Sequence, residues 1–144
     1  AGFAGRKNLA MFKQVLLFWS LFFLVNGLML GAKPALSWEM WSGGAAANPD
    51  ILAFMHVIAG WSLCVSSLMC ACAHATEPNH KRMVLCCCLS FSLIQTANFF
   101  FFVLPAAPSL FGNAKLSIGS CQAVQMLSFL AAFPSTRAGK TKAR

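Results

Sequence analysis

The feature that most constrains this chain is residues 15–32, an apolar run of 18 residues without a single charge. A helix rises about 1.5 Å per residue, so roughly 17–25 mostly apolar residues are needed to cross the hydrocarbon of a bilayer. Three further runs approach or meet that requirement. Residues 51–73 carry His56 as their one ionisable group apart from thiols. Residues 83–104 are closed by Pro105 and Pro108. Residues 116–133 are diluted by Gln122, Gln125 and several serines. The runs are continuous and lack the two-residue alternation of a membrane barrel, so helices are expected. The composition agrees: 58% of the 144 residues are apolar and only 10% charged, too little charge to cover a soluble surface.

Charge placement decides whether the fourth run crosses. With four crossings, Arg6, Lys7, Lys13, Lys81, Arg82, Arg137, Lys140, Lys142 and Arg144 share one side, against Lys33 and Lys115 on the other. With three crossings the split becomes five against six. The positive-inside rule favours the first arrangement. The sequence therefore predicts an all-α membrane protein, a single domain of four transmembrane helices over 15–32, 51–73, 83–104 and 116–133. Both termini lie on the more basic side, as basic tails over 1–14 and 134–144. The basic residues behind the net charge of +8 sit in short flanks around the apolar runs, which suit lipid head groups and topology rather than nucleic acid.

The connections fit this layout. Asn48-Pro49-Asp50 supplies a capping residue, a helix-starting proline and an acid for the second span. Glu77-Pro78-Asn79-His80 reads as a tight turn that makes the second and third spans antiparallel neighbours. Trp38 and Trp41 read as an interfacial anchor, and Gly43-Gly44 as a flexible joint. The chain opens on Ala1-Gly2-Phe3-Ala4-Gly5 without Met, as after removal of a leader peptide. The first apolar run lacks a small-residue cleavage pattern ahead of a secreted domain, and is expected to be a retained helix.

Polar groups within the spans are the candidate site residues. His56 is followed by Gly60 at i+4, which leaves a groove beside the imidazole. A neutral imidazole there would serve as the single axial ligand of a chlorophyll magnesium, or hydrogen-bond a neighbouring helix. Gln95, Asn98, Gln122, Gln125 and Asn26 read as interhelical glue or weaker pigment ligands. Of these, His56, Gln95, Asn98 and Gln122 are the candidate cofactor-binding set. The phenylalanines at 99–102 suit lipid, a porphyrin or a carotenoid equally. Cys70, Cys72, Cys86, Cys87 and Cys88 flank the turn that holds His74 and His80. They lack a C-x-x-C pair and read as small apolar packing residues, with metal, redox or acylation roles as alternatives. No metal site is predicted.

No Asp, Glu, Lys or Arg lies in the core of any run, which argues against a proton-coupled carrier or pump. A phosphate loop, an H-E-x-x-H pair and a nucleophile elbow are missing, so an enzyme is not expected. Short loops, basic flanks and an ionisable-poor interior give the chain the overall plan of a supernumerary subunit of a large organellar complex. In that plan it resembles an accessory subunit of the algal photosystem I type. The resemblance implies a thylakoid location, contacts to chlorophyll, carotenoid and lipid, and a place between core and antenna among other membrane subunits. The chain departs from light-harvesting proteins, which pair a membrane Glu with an Arg on another helix; its spans contain neither. An accessory subunit of a mitochondrial respiratory or ATP synthase complex is the alternative without pigment. A small four-helix carrier, its path lined by Asn26, His56, Gln95 and Gln122, is a further one. Small four-span proteins of the DoxX-like type share the plan only.

Overall fold

The computed structural model describes residues 3–42, 44–106 and 115–136, and these are helical with short connections and no strand. Helix α1 spans Phe3–Ala32, α2 Pro34–Ser42, α3 Pro49–Cys72 and α4 Pro78–Asn98. A π-helical turn, Phe99–Val103, leads into the short α5, Leu104–Ala106. Helix α6 is Lys115–Ala132, closed by a 3₁₀ turn over Phe133–Thr136. Among the described residues, three stretches are long and apolar enough to cross a membrane: Ala10–Ala32, Pro49–Cys72 and Pro78–Phe102. In α6 the apolar stretch Ile118–Ala132 is shorter.

Local chemistry accounts for most helix ends. Pro34 lacks an N–H and closes α1, and it also opens α2. Asn48 caps α3 as its sequence predicts: its Oδ1 accepts from the Ile51 N–H at 2.8 Å, with Pro49 as the first helical residue. Gly44 adopts φ +102°, a left-handed conformation that favours glycine, and its N–H reaches the Glu39 carbonyl at 2.8 Å. The π-helical turn has a cause four residues on. Pro105 cannot donate to the Phe101 carbonyl and its ring crowds it, so the chain widens and Leu104 N–H bonds Phe99 instead.

Four sequence expectations change here. Residues 1–14 are not a tail throughout, because α1 is already helical from Phe3. The turn between α3 and α4 lies ahead of Pro78, which begins α4, so Asn79 and His80 are helical. Trp38 is no interfacial anchor. Pro34 directs a short helix back onto the bundle, and Trp38 is buried there against Leu30, Met55 and Ala59. Finally, α3 and α4 follow one another through a short turn, but the closest helix pairing is α1 with α3, and α4 packs on α6. Side chains such as Trp61 and Phe91, ring centroids 5.9 Å apart, bridge α3 to α4.

The α1–α3 pairing follows from small residues. Gly27 and Gly31 of α1 face Ala59 of α3, and the helices approach so closely at Gly27 that a Cβ there would intrude. Further along, Ser20 and Ser66 exchange hydrogen bonds. Ser20 Oγ donates to the Ser66 carbonyl at 2.9 Å and Ser66 Oγ to the Ser20 carbonyl at 2.8 Å. The contacts run in opposite order along the two helices, so they are antiparallel.

Two cores result. The larger gathers Phe12, Leu16, Trp19 and Phe23 of α1 with Met69, Leu85, Cys88 and Phe129. The smaller contains residues of α1, α2 and α3 alone among its buried members. The start of α1 and the end of α6 meet in the larger core, through Phe12 and Ala132.

Candidate functional site

Besides the Ser20–Ser66 pair, one set of interior polar groups lies as a seam along α4 and α6. Phe100 lies over Gly119 at one end of this pair, and Leu85 and Cys88 share a core with Phe129 and Ala132 at the other. This antiparallel register brings Ser92 and Gln95 to the level of Gln125 and Gln122. Hydroxyls in the seam are satisfied within their own helices: Ser92 Oγ donates to the Cys88 carbonyl at 2.9 Å and Thr96 Oγ1 to the Ser92 carbonyl at 2.7 Å. Ser128 links two helices. Its Oγ accepts from Trp19 Nε1 at 2.7 Å and donates to the Gln125 carbonyl at 2.7 Å.

The two glutamines of α6 are different. Gln125 is 3% exposed, and its Nε2 is buried without a hydrogen-bond partner among the described residues. Gln122 Oε1, one turn earlier, is buried in the same condition. One has a spare donor and the other a spare acceptor. The structure thus yields a prediction. An unpaired buried amide costs about 1–3 kcal/mol, so Gln125→Leu should leave stability unchanged or raise it. Thermal unfolding in detergent measures this, and a clear loss would mean that a bridging group already holds Nε2.

Of the predicted site residues, Gln95 and Gln122 are half-buried at the seam, whereas His56 and Asn98 are exposed. His56 lies on the outer face of α3 with Gly60, where an added Cβ would meet nothing within 4 Å. Asn98 ends α4 immediately before the π-helical turn. Asn26 lines a separate apolar groove of about 360 Å³ between α1 and α2, with Phe18, Phe22, Met40 and Trp41 among its walls. The four residues of the imagined carrier path are therefore not brought together. Among the described residues, α3 and α6 share no close-packed interface that would join His56 to Gln122. The cysteines are free thiols, Cys88 buried and Cys86 and Cys87 exposed. No cluster of three His, Cys, Asp or Glu side chains suited to a metal occurs among the described residues.

Sequence reasoning passed over three groups. Gly27 and Gly31 form a G-x-x-x-G pair inside an apolar run, a signal that was readable. The Trp19–Ser128 link joins residues 109 apart, and nothing local announces it. Lys81 looks like a solvated flank residue, but it is only 3% exposed and lines a cleft at the end of the bundle where α1 begins.

These features define a class: a helical protein whose described residues include three helices long and apolar enough to cross a membrane, joined in their interior by serine and tryptophan hydrogen bonds. No family model matches the chain, and no curated protein or solved structure matches it either.

Proposed function

We propose that this chain is a structural, accessory subunit of a larger energy-converting membrane complex, with algal photosystem I as the favoured setting. In this reading it crosses the thylakoid membrane four times, with both ends on the basic side. Helix α6, at 18 residues, supplies about 27 Å of rise for the fourth crossing. The charge split of nine basic residues against two supports the same orientation.

One observation carries the reading, namely the division of polar from apolar groups. Inside, the described helices are joined by serine hydroxyls, the Trp19 indole and close-packed small and apolar residues. Outside, they present large rings and aliphatic chains, including Phe18, Phe54, Trp61 and, on the π-helical turn, Phe101 and Phe102 at 74% and 70% exposed. Such faces suit lipid and apolar neighbouring subunits. The His56–Gly60 face adds one imidazole beside open space, which would suit a flat apolar ligand such as chlorophyll, with His56 as the residue that would hold it.

The test is mild solubilisation of the native membrane, native gel separation, absorption spectra and mass spectrometry of each band. Co-migration with a large green complex is the expected result. His56→Leu should then remove about one chlorophyll per complex with the helices intact. Co-migration with a colourless respiratory complex would move the subunit to the mitochondrial inner membrane. Migration as a small free oligomer would overturn the subunit reading.

A further inference from the structure

We propose that the cleft between the start of α1 and the α3–α4 turn binds the phosphate of an anionic membrane lipid, with Lys81 as its buried counter-charge. The cleft measures about 460 Å³, and its walls include Phe12, Lys13, Ala73, His74, Thr76 and Lys81. Lys81 is the group that calls for a ligand. It is 3% exposed, its Nζ lies 5.8 Å from the centre of the Phe12 ring, and that ring is itself buried. A ring face offers an ammonium only partial compensation for lost water.

Among the described residues, no side-chain carboxylate completes the site. The chain has three acids: Glu39 and Asp50 belong to the opposite end of the bundle, and Glu77 is exposed and forms no ion pair with Lys81. The helix dipoles do not settle the sign either. Helix α3 ends here and α4 begins here, so their opposite partial charges offset one another. The side chains therefore decide, and they are Lys81 within, Lys13 on the exposed rim, and the Thr76 hydroxyl and His74 imidazole beside them.

An amphipathic anion fits this arrangement better than an inorganic one. Phe12, Ala73 and Ala10 give the cleft apolar walls suited to a glycerol or the first carbons of an acyl chain. Its depth is right as well. The apolar stretches of α3 and α4 stop at Cys72 and start at Pro78, which puts the cleft at head-group level. Basic pockets between membrane helices at this level are suited to phospholipid head groups.

The test uses the full chain in detergent micelles doped with equal amounts of phosphatidylglycerol and phosphatidylcholine, with retained lipid counted by native mass spectrometry. Phosphatidylglycerol should be retained preferentially, and Lys81→Met should lower that preference about tenfold. Lys81→Arg should keep it, and Lys13→Gln should lower it about fivefold. Should Lys81→Met fail to fold, Lys13→Gln and the wild-type preference decide alone. Equal retention of the two lipids, or a preference indifferent to Lys13 and Lys81, would overturn the proposal. Displacement of phosphatidylglycerol by millimolar inorganic phosphate would likewise overturn it, by assigning the cleft to the free ion.

Discussion

Gly27→Leu is expected to abolish the pairing of α1 with α3, and Gly27→Ala to weaken it by about 1–3 kcal/mol through overpacking. A Cβ placed on Gly27 would stand 2.9 Å from Leu63 Cγ, 3.0 Å from Leu63 Cδ2 and 3.1 Å from the Ala59 carbonyl oxygen. Leu63 can change rotamer to make room. The Ala59 oxygen belongs to the backbone of α3 and can withdraw only if the helix does. Separation would then stretch the reciprocal Ser20–Ser66 hydrogen bonds, which hold the same two helices and depend on the same close approach. In a bilayer the apolar surface of a separated helix is covered by lipid, so close packing and these bonds supply most of the attraction.

Two other glycines provide internal controls. A Cβ at Gly31 meets only the Ala59 methyl, at 3.7 Å, which is ordinary contact, and one at Gly60 meets nothing within 4 Å. Thermal unfolding of the three alanine variants in one detergent should therefore rank Gly27→Ala far below the others, with Gly60→Ala at the wild-type value. Equal midpoints for Gly27→Ala and Gly60→Ala would refute close packing at this crossing.

The same residues show what the sequence could reveal. The apolar runs that include α1, α3 and α4 were legible from length and absence of charge, because a bilayer imposes both. The Asn48 cap was legible because its partner, the Ile51 N–H, is three residues away. Trp38 was misread because an interfacial tryptophan and a buried one look alike in sequence. What distinguishes them is Pro34, which turns the following helix onto Leu30 and Met55. The burial of Lys81 was not legible for a related reason: the Phe12 ring that lies against it belongs to another helix. The candidate residues His56, Gln95, Asn98 and Gln122 were identifiable as polar groups in apolar runs. Which of them share an interface depends on the pairings α1–α3 and α4–α6, and these rest on side-chain shape at distant positions.

The second large effect is expected at Trp19, where α1 holds α6. Trp19 is 3% exposed, with ring centroids 5.3 Å from Phe18, 5.2 Å from Phe22 and 6.3 Å from Phe129. Its Nε1 donates to Ser128 Oγ at 2.7 Å, and that hydroxyl is oriented by its own bond to the Gln125 carbonyl. Truncation to alanine removes the ring and leaves a cavity between α1 and α6, a loss of about 3–5 kcal/mol for a buried tryptophan. Helix α6 is the shortest of the apolar candidates, so the loss should appear as its undocking before the bundle as a whole unfolds. Cys121, half-buried on α6, reports on this directly. In a variant keeping Cys121 as the single thiol, Trp19→Ala should raise its maleimide labelling rate by at least about tenfold. Trp19→Phe keeps one aromatic ring but loses the hydrogen bond and part of the indole volume, so it should cost about 1–3 kcal/mol, less than Trp19→Ala. Ser128→Ala should cost a similar amount, and the double variant should cost less than the two single losses together. Additive losses would mean that Trp19 holds α6 by ring packing alone. An unchanged Cys121 labelling rate in Trp19→Ala would show that α6 is secured elsewhere, with α4 and its polar seam the remaining anchor.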